Sequence, residues 1–527
     1  MAAAARLFAS ARLIAVLTLV SRLFGLAREC MFGYYFGTSP LMSSFRIAFM
    51  APNLARRLFG EGALSSSMIP ILTETLQTEG EAASRRFVGS LMSLVALMLM
   101  AGVLVVEGVI AVWRTFHDNQ ALELTAILMP YMVLICLVAV GGGVLNVRRH
   151  FATPAAVSIL LNAVMIAGIL FGRACGGSDL ELMYALCASV LLAGVAQLGV
   201  IAAALRAERF FPVSGGSWRD PQVRRVFTLM APMALGLSVV QINSLADYLI
   251  AYLFVYKDGK PIGPAVLGFA QYLYEMPLGV FGIALATAIF PVLAKKAAER
   301  DHAGLAETVL RGVRLGAFIA LPATVGLVVV ARPLVRTLLE HGEFPEEDTP
   351  RVAATVAFYS LGLTAYFAQH VVVRAYYALQ DSRTPARVAA WMVLADFVMN
   401  LSLVFVMEER GLALSTAVCA VIQVVWLGLR LQRVLPGLRW ARLARACGPM
   451  LLAAAAMGAA LAVPKCVATV RGVFAARPPV ELSVQVVIGV VVYVAAAYVL
   501  RIEELGVLVR LRRTERPPAP ARGSLPG

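Results

Sequence analysis

The sequence predicts an all-α polytopic membrane protein of about fourteen crossing helices, in two pseudo-symmetric six-helix lobes plus two C-terminal helices. Three observations carry that prediction. Across 527 residues the chain is 60% hydrophobic and only 15% charged, with a mean hydropathy of +0.80, whereas a soluble globular domain averages roughly 45–50% apolar and about 25% charged. Long apolar runs recur from end to end with short polar connectors between them. Features of the first half also return in the second.

A crossing helix needs about 20 predominantly apolar residues. On that count the crossings fall at roughly 10–36, 41–72, 87–113, 123–147, 154–173, 180–205, 224–256, 264–294, 309–331, 351–379, 385–407, 410–432, 444–464 and 483–503. The opening MAAAARLFASARLIAVLTLV has the basic start and apolar run of a signal peptide. It passes into SRLFGLAR without a small-residue cleavage site, so we read it as a retained first helix.

Orientation follows from the loops, because cytoplasmic loops are enriched in Lys and Arg. Basic residues gather at Arg85–Arg86, Arg148–Arg149, Arg206 to Arg225, Lys295 to Arg300, Arg383 and Arg387, and Arg430 to Arg445. The alternate loops are acidic or poor in basic residues: HDNQ at 117–120, GGSDLE at 176–181, EFPEED at 343–348 and EER at 408–410. Only the loop with Lys465, Arg471 and Arg477 breaks the pattern. Both termini are expected in the cytoplasm.

The halves are related by two pairs of segments. MIPILTETLQTEGE (68–81) parallels IFPVLAKKAAERD (289–301), and NVRRHFATPAAV (146–157) parallels YALQDSRTPARV (377–388). The expected organisation is an N-terminal lobe over 1–215, a C-terminal lobe over 216–440, two added helices over 441–505, and a disordered Pro/Gly-rich tail over 506–527. Repeated lobes with a site between them describe transporters that work by alternating access.

Several function classes drop out. The net charge of +15 sits in short clusters between apolar runs, which fits membrane topology and anionic lipid headgroups rather than nucleic acid. Seven cysteines are scattered without a CxxC. Cys30, Cys136, Cys187 and Cys419 lie in apolar segments, while Cys175 and Cys466 fall in external loops where they could pair. The five histidines have no ligand spacing, and the glycines form no phosphate loop. No loop is long enough for a soluble catalytic segment, so the chain is read as a non-enzyme without a cofactor.

The stretch Ser21 to Leu72 does not fit an ordinary membrane helix. It carries Arg22, Arg28, Arg46, Arg56 and Arg57, balanced only by Glu29 and Glu61. A guanidinium at membrane depth costs at least ~2.5–3.5 kcal/mol, so such groups face a bundle interior or a wet cavity. Arg46, Asn53 and Arg57 are spaced i, i+7 and i+11, on one helix face, with Arg56 beside it. Pro52 should kink that helix. On the first helix Arg22 and Glu29 share a face, and Arg28 points about a third of a turn away. Arginine offers paired donors to phosphate oxygens and stays charged. The bland alternative is that Arg56 or Arg57 pairs with Glu61 and anchors the helix end by snorkelling.

At SRLFGLARE and AFMAPNLARRLFGEGALSSSMIPIL, and later at YEMPLGVFGIALATAIFPVLAK, LLEHGEF and RAYYALQDSRTP, the chain resembles the MurJ (MviN) lipid II flippases of bacteria. These belong to the multidrug/oligosaccharidyl-lipid/polysaccharide exporter superfamily. The resemblance implies a multi-pass protein of the bacterial cytoplasmic (inner) membrane. It implies as substrate lipid II, an undecaprenyl-pyrophosphate-linked disaccharide-pentapeptide, moved from the inner to the outer leaflet for peptidoglycan synthesis, with cell-wall synthesis proteins as further partners. The family's substrate-contacting arginines map onto Arg22, Arg28, Arg56 and Arg57. Two positions depart from the family pattern: Ser43 stands at a commonly acidic position, and Tyr272 at a commonly basic one. Arg46, one turn from Ser43, is placed to supply the missing positive charge.

A second intramembrane polar set lies in the C-terminal half. Asp247, Asp396, Asn400 and Thr416 present the oxygen ligands that Na⁺ prefers, and an intramembrane Asp can equally relay H⁺. The family resemblance also implies a cation site in this lobe. The alternative is an Asp satisfied by interhelical hydrogen bonds. Rival functions are a flippase for another polyprenyl-pyrophosphate-linked oligosaccharide, a cation-coupled drug antiporter, which would want an acidic cavity, and a membrane-bound glycosyltransferase.

Overall fold

The computed structural model describes residues 2–57, 63–117, 119–213, 220–466 and 477–506, and nearly all of them are helical. Among the described residues, 11 helical stretches are long and apolar enough to cross a membrane. They coincide with all the predicted crossings except three. Those three fall on α1 (Ala2–Phe36), on α2 (Pro40–Ala55) with α3 (Ala63–Thr78), and on α9 (Pro221–Phe254). Each of the three also carries polar or charged groups of the sites described below.

Prolines cut three predicted helices. The crossing expected at 41–72 is two helices: Pro52 lies inside α2, the backbone widens to a π-turn at residues 56–57, and α3 begins at Ala63. Residues 58–62 lie outside the described set, and with them any pairing of Glu61. The crossing at 123–147 divides into α5 (Gln120–Leu128) and α6 (Tyr131–Val147) around Pro130. The crossing at 264–294 divides into α10 (Gly263–Pro277), a π-turn (Leu278–Gly282) and α11 (Ile283–Ala298). A proline removes one ladder donor and clashes with the preceding turn, and wider turns take up the mismatch.

The crossing at 351–379 also divides, without a proline, into α13 (Thr349–Ser360) and α14 (Leu363–Ala378); the other helices are α4 (Gly80–Arg114), α7 (Ala152–Ala174), α8 (Asp179–Ala207), α12 (His302–Leu338), α15 (Arg383–Met407), α16 (Glu409–Val434), α17 (Trp440–Cys466) and α18 (Pro478–Val499). The sequence echo between halves has a backbone counterpart. After α6, Arg149 is left-handed (φ 62°) and His150 N–H reaches back to Leu145 O at 2.8 Å. After α14, Gln380 is left-handed (φ 60°) and Asp381 N–H reaches Tyr376 O at 2.9 Å. Both turns then restart a helix with Thr-Pro.

The chain folds as two compact units. The first comprises Met1–Met276, Leu338–Thr355 and Ala389–Thr416, and the second comprises Pro277–Thr337, Val356–Val388 and Ala417–Gly527. In the first, Phe32, Phe45 and Tyr131 are fully buried, with Phe32 edge-on to Phe45 at 5.6 Å and Phe45 stacked on Phe49 at 5.6 Å. In the second, Met450, Met457, Leu461, Tyr493 and Ala497 form a core with Phe318, whose carbonyl accepts the Tyr493 hydroxyl at 2.8 Å. The predicted tail, 506–527, lies outside the described residues apart from its first position. The side chain of Cys466 is also outside them; Cys175 is exposed.

Candidate functional site

A cavity of about 710 Å³ lies inside the first unit, and a smaller one of about 170 Å³ shares its wall. Among the described residues, four guanidinium groups line them, those of Arg28, Arg46, Arg56 and Arg57, against two carboxyl groups, Glu29 and Glu275. The balance is positive.

Glu29 organises the inner end. Its side chain is 2% exposed and accepts from Arg28 Nη2 at 2.7 Å and from both terminal nitrogens of Arg46, Nη1 at 3.3 Å. Arg28 Nη1 also donates to Asn162 Oδ1 at 2.9 Å. Both guanidinium carbons sit 5.4 Å from the centre of the Phe32 ring, and that of Arg46 sits 5.1 Å from Phe269. Aromatic faces supply partial negative potential without neutralising the charge. Gly268 makes the room: a Cβ there would lie 2.6 Å from Arg46 Nε. Among the described residues, Nε of Arg22, Arg28 and Arg46 is buried with no hydrogen-bond partner. A buried donor left unpaired costs free energy.

The sequence expectation that Arg46, Asn53 and Arg57 share a face meets a cavity lined by all three. Asn53 Oδ1 accepts from Arg56 Nε at 3.3 Å, and Arg57 Nη1 donates to Gln241 Oε1 at 3.3 Å. On α1 the ion-pair partners come from two helices. Glu29 serves Arg28 and Arg46, while Arg22 lines a side pocket of about 460 Å³ with Arg28, Asn162 and Tyr272. A long arginine side chain spans a third of a turn easily, and the second partner arrives from α2.

Ser43 and Tyr272 both have structural roles. Ser43 Oγ accepts the Ala265 N–H at 3.3 Å, in the first turn of α10. Tyr272 donates its hydroxyl to Arg22 O at 2.9 Å, passing over Gly25, where a Cβ would lie 2.4 Å from the Tyr272 oxygen. Asn162, Gln241, Tyr248, Gln271 and Glu275 line the cavities and escaped sequence reasoning. Glu275, a lone acid in an apolar run, was the one that could have been found.

The second polar set also assembles within the first unit. Asn400 Nδ2 donates to Asp247 Oδ1 at 2.6 Å and to Asp396 Oδ2 at 3.3 Å, and Asn243 Nδ2 donates to Asp396 Oδ2 at 2.8 Å. Ser415 donates to Asp396 Oδ1 and lies 2.6 Å from Asn400 Oδ1. Asp247, Asp396, Asn400 and Ser415 are all buried. Thr416 donates its hydroxyl to Leu412 O at 2.9 Å, and the neighbouring Ser415 joins the carboxyl cluster. Two carboxyl groups in one dry cluster need a proton or a cation between them.

Apolar crossing helices around an internal, positively charged cavity make this chain a polytopic membrane transporter rather than an enzyme. The chain belongs to the MurJ family, described as lipid II flippase MurJ, which it matches over residues 32–479. It is 33% identical over 464 residues to the probable lipid II flippase MurJ of Rhizobium tropici, covering 84% of each chain. Its fold resembles that of a solved lipid II flippase MurJ in an inward closed conformation, with a TM-score of 0.76 and 22% identity over 92% of this chain and 98% of that one. It also resembles an inward-facing multidrug resistance MATE family transporter of the MOP superfamily, with a TM-score of 0.64 and 15% identity over 80% of this chain and 98% of that one.

Proposed function

We propose that this protein flips lipid II from the inner to the outer leaflet of the bacterial cytoplasmic membrane by alternating access. Family membership supplies the substrate class. The observation that carries the mechanism is the excess of guanidinium groups among the described residues that line the cavity. A pyrophosphate brings several acceptor oxygens and at least two negative charges, which is what Arg28, Arg46, Arg56 and Arg57 can bind as forked donors. Arg22 and Asn53 would hold the flanking part of the headgroup. The positive cavity disfavours a cationic drug as substrate, because like charges would have to be brought together in a dry site.

In this reading the Asp247–Asp396–Asn400 cluster, with Ser415 and Thr416 beside it, takes Na⁺ or H⁺ and drives the return of the empty carrier. Both termini face the cytoplasm, and the two repeated lobes, 1–215 and 216–440, rock about the site.

The test is rescue of cells depleted of their own lipid II flippase. The native chain should restore growth, and Arg28→Ala or Arg57→Ala should not, at equal membrane abundance. Growth on either variant would overturn the pyrophosphate role. Failure of the native chain, with rescue instead of a strain lacking another lipid-linked oligosaccharide flippase, would move the substrate assignment. Transport by Asp247→Asn that keeps its dependence on Na⁺ and on membrane potential would remove the coupling role.

A further inference from the structure

Between α12 and α13 the chain runs through EFPEEDTPR, residues 343–351, which include a 3₁₀ turn (Glu346–Asp348). Its side chains and backbone are held at three places. At its start, Glu343 N–H donates to Tyr34 O at 2.8 Å. The close approach is built in: Gly37 and Gly342 are both left-handed (φ 55° and 62°), and a Cβ on either would lie 2.3 or 2.2 Å from the carbonyl oxygen of Glu343 or Tyr34. No other residue fits there.

In the middle, Asp348 is 2% exposed. Its Oδ2 accepts the Thr38 hydroxyl from the α1–α2 turn, and its Oδ1 accepts Lys257 Nζ at 2.8 Å. Lys257 stands on a short hairpin, β1 (Tyr256–Lys257) paired with β2 (Lys260–Pro261), which joins α9 to α10. At its end, Arg351 grips the α15–α16 turn with a two-pronged bond to Glu409, Nε to Oε1 at 3.0 Å and Nη2 to Oε2 at 2.8 Å, and also bonds Glu408. Glu409 is fully buried.

The two ends of this segment therefore reach different machinery. The α1–α2 turn joins the helices that carry Arg28 and Arg46; Arg28 lies eight residues before Phe36, about 12 Å along α1 at 1.5 Å per residue. Glu409 opens α16 six residues before Ser415, about 9 Å from the Asp396 cluster on the same scale. Nothing in the arginine cavity or the carboxyl cluster requires a buried bidentate Arg–Glu pair at one turn and a buried Asp–Thr–Lys contact at another. A contiguous, charge-locked segment is the kind of physical link through which two sites can bias each other.

We propose that residues 343–351 form a strap that couples the Asp247–Asp396 cluster to the α1–α2 turn of the arginine cavity, with Asp348 and Arg351 as its positioning residues. Its purpose rests on the ion-coupled reading above; its mechanics do not. The test is hydrogen–deuterium exchange on the purified full chain, which needs no transport.

Asp348→Asn should speed exchange in 34–42 and 256–262 by direct loss of contacts. If the strap is real it should also speed exchange in 408–416, by about fivefold or more, since local opening governs exchange. Asp396→Asn should in turn alter exchange in 34–42, and Arg351→Lys, which breaks the fork but keeps the charge, should abolish that cross-effect. If Asp348→Asn does not fold, Thr38→Val or Lys257→Gln removes one arm of the same contact and should give the same remote change. Changes confined to 34–42 and 256–262 in all these variants would overturn the strap. Coupled exchange in a protein whose transport ignores Na⁺ and membrane potential would leave the strap standing and remove only the ion reading.

Discussion

Glu29 on α1 and Arg46 on α2 form a buried ion pair in which the carboxylate bridges Arg46 and Arg28, with the Phe32 ring beneath both guanidinium groups. The pair holds the two arginines side by side, so the proposed substrate would meet donors already arranged. Preorganised donors need not be reordered on binding.

Removing one partner of this pair should be worse than removing both. Glu29→Gln removes the buried carboxylate shared by two cations that line the cavity and should cost about 1–3 kcal/mol. Glu29→Gln with Arg46→Met should recover much of that stability, but not the ability to replace a missing flippase. Thermal unfolding of the purified single and double variants measures the coupling. Additive effects would show that the bridge does not hold the arginines.

Tyr272 and Gly25 should behave as a matched pair. Gly25→Ala puts a methyl group where the Tyr272 oxygen lies, 2.4 Å away, and must displace the ring from its bond to Arg22 O. Tyr272→Phe loses the same hydrogen bond, at a cost of about 1 kcal/mol. Growth rescue by Gly25→Ala should fall further than by Tyr272→Phe, and Tyr272→Leu should partly restore Gly25→Ala by freeing the space. No restoration by the smaller side chain would count against the steric account.

Ser415→Ala should loosen the carboxyl cluster. The hydroxyl contacts both Asp396 and Asn400, and leaving buried acceptors unpaired costs about 1–3 kcal/mol. The expected result is a lower unfolding temperature together with altered Na⁺ or pH dependence of transport. A variant indistinguishable from the native protein in both would show that Ser415 is a spectator.

In the second unit, Ala497 is completely buried in the core where Tyr493 meets Phe318. Ala497→Leu adds three carbons to a filled space and should cost about 1–3 kcal/mol. Tyr493→Phe removes only the bond to Phe318 O, worth about 1 kcal/mol. Thermal unfolding should rank Ala497→Leu as the more damaging, and the reverse order would mean that the hydroxyl anchors α18 more than packing does.

The helices were legible because hydropathy is a local property: a run of apolar residues long enough to span hydrocarbon has few other places to go. The five arginines of Ser21 to Leu72 were legible for the same reason, since each is expensive in an apolar helix and so stands out alone. The spacing of Arg46, Asn53 and Arg57 followed from helix geometry, and all three line one cavity. The two Thr-Pro turns were legible because proline restricts its own backbone and that of the residue before it.

What the sequence could not state is which groups meet across helices. That Glu29 answers to Arg46 and Arg28, that Ser415 joins the carboxyl cluster, and that Asn162 completes the grip on Arg28 depend on how separate helices pack. The breaks at Pro130 and Pro277 belong to the same category, whereas the disturbance at Pro52 was expected from the sequence. A proline in a membrane helix is tolerated or not according to whether neighbours re-satisfy the freed carbonyl. Composition and period settle which segments cross and which residues are too costly to be idle, because each is priced along one helix. The partners of those residues are decided by tertiary structure, because a pair separated by more than a hundred positions, such as Arg28 and Asn162, has no local signature until the helices that carry it lie side by side.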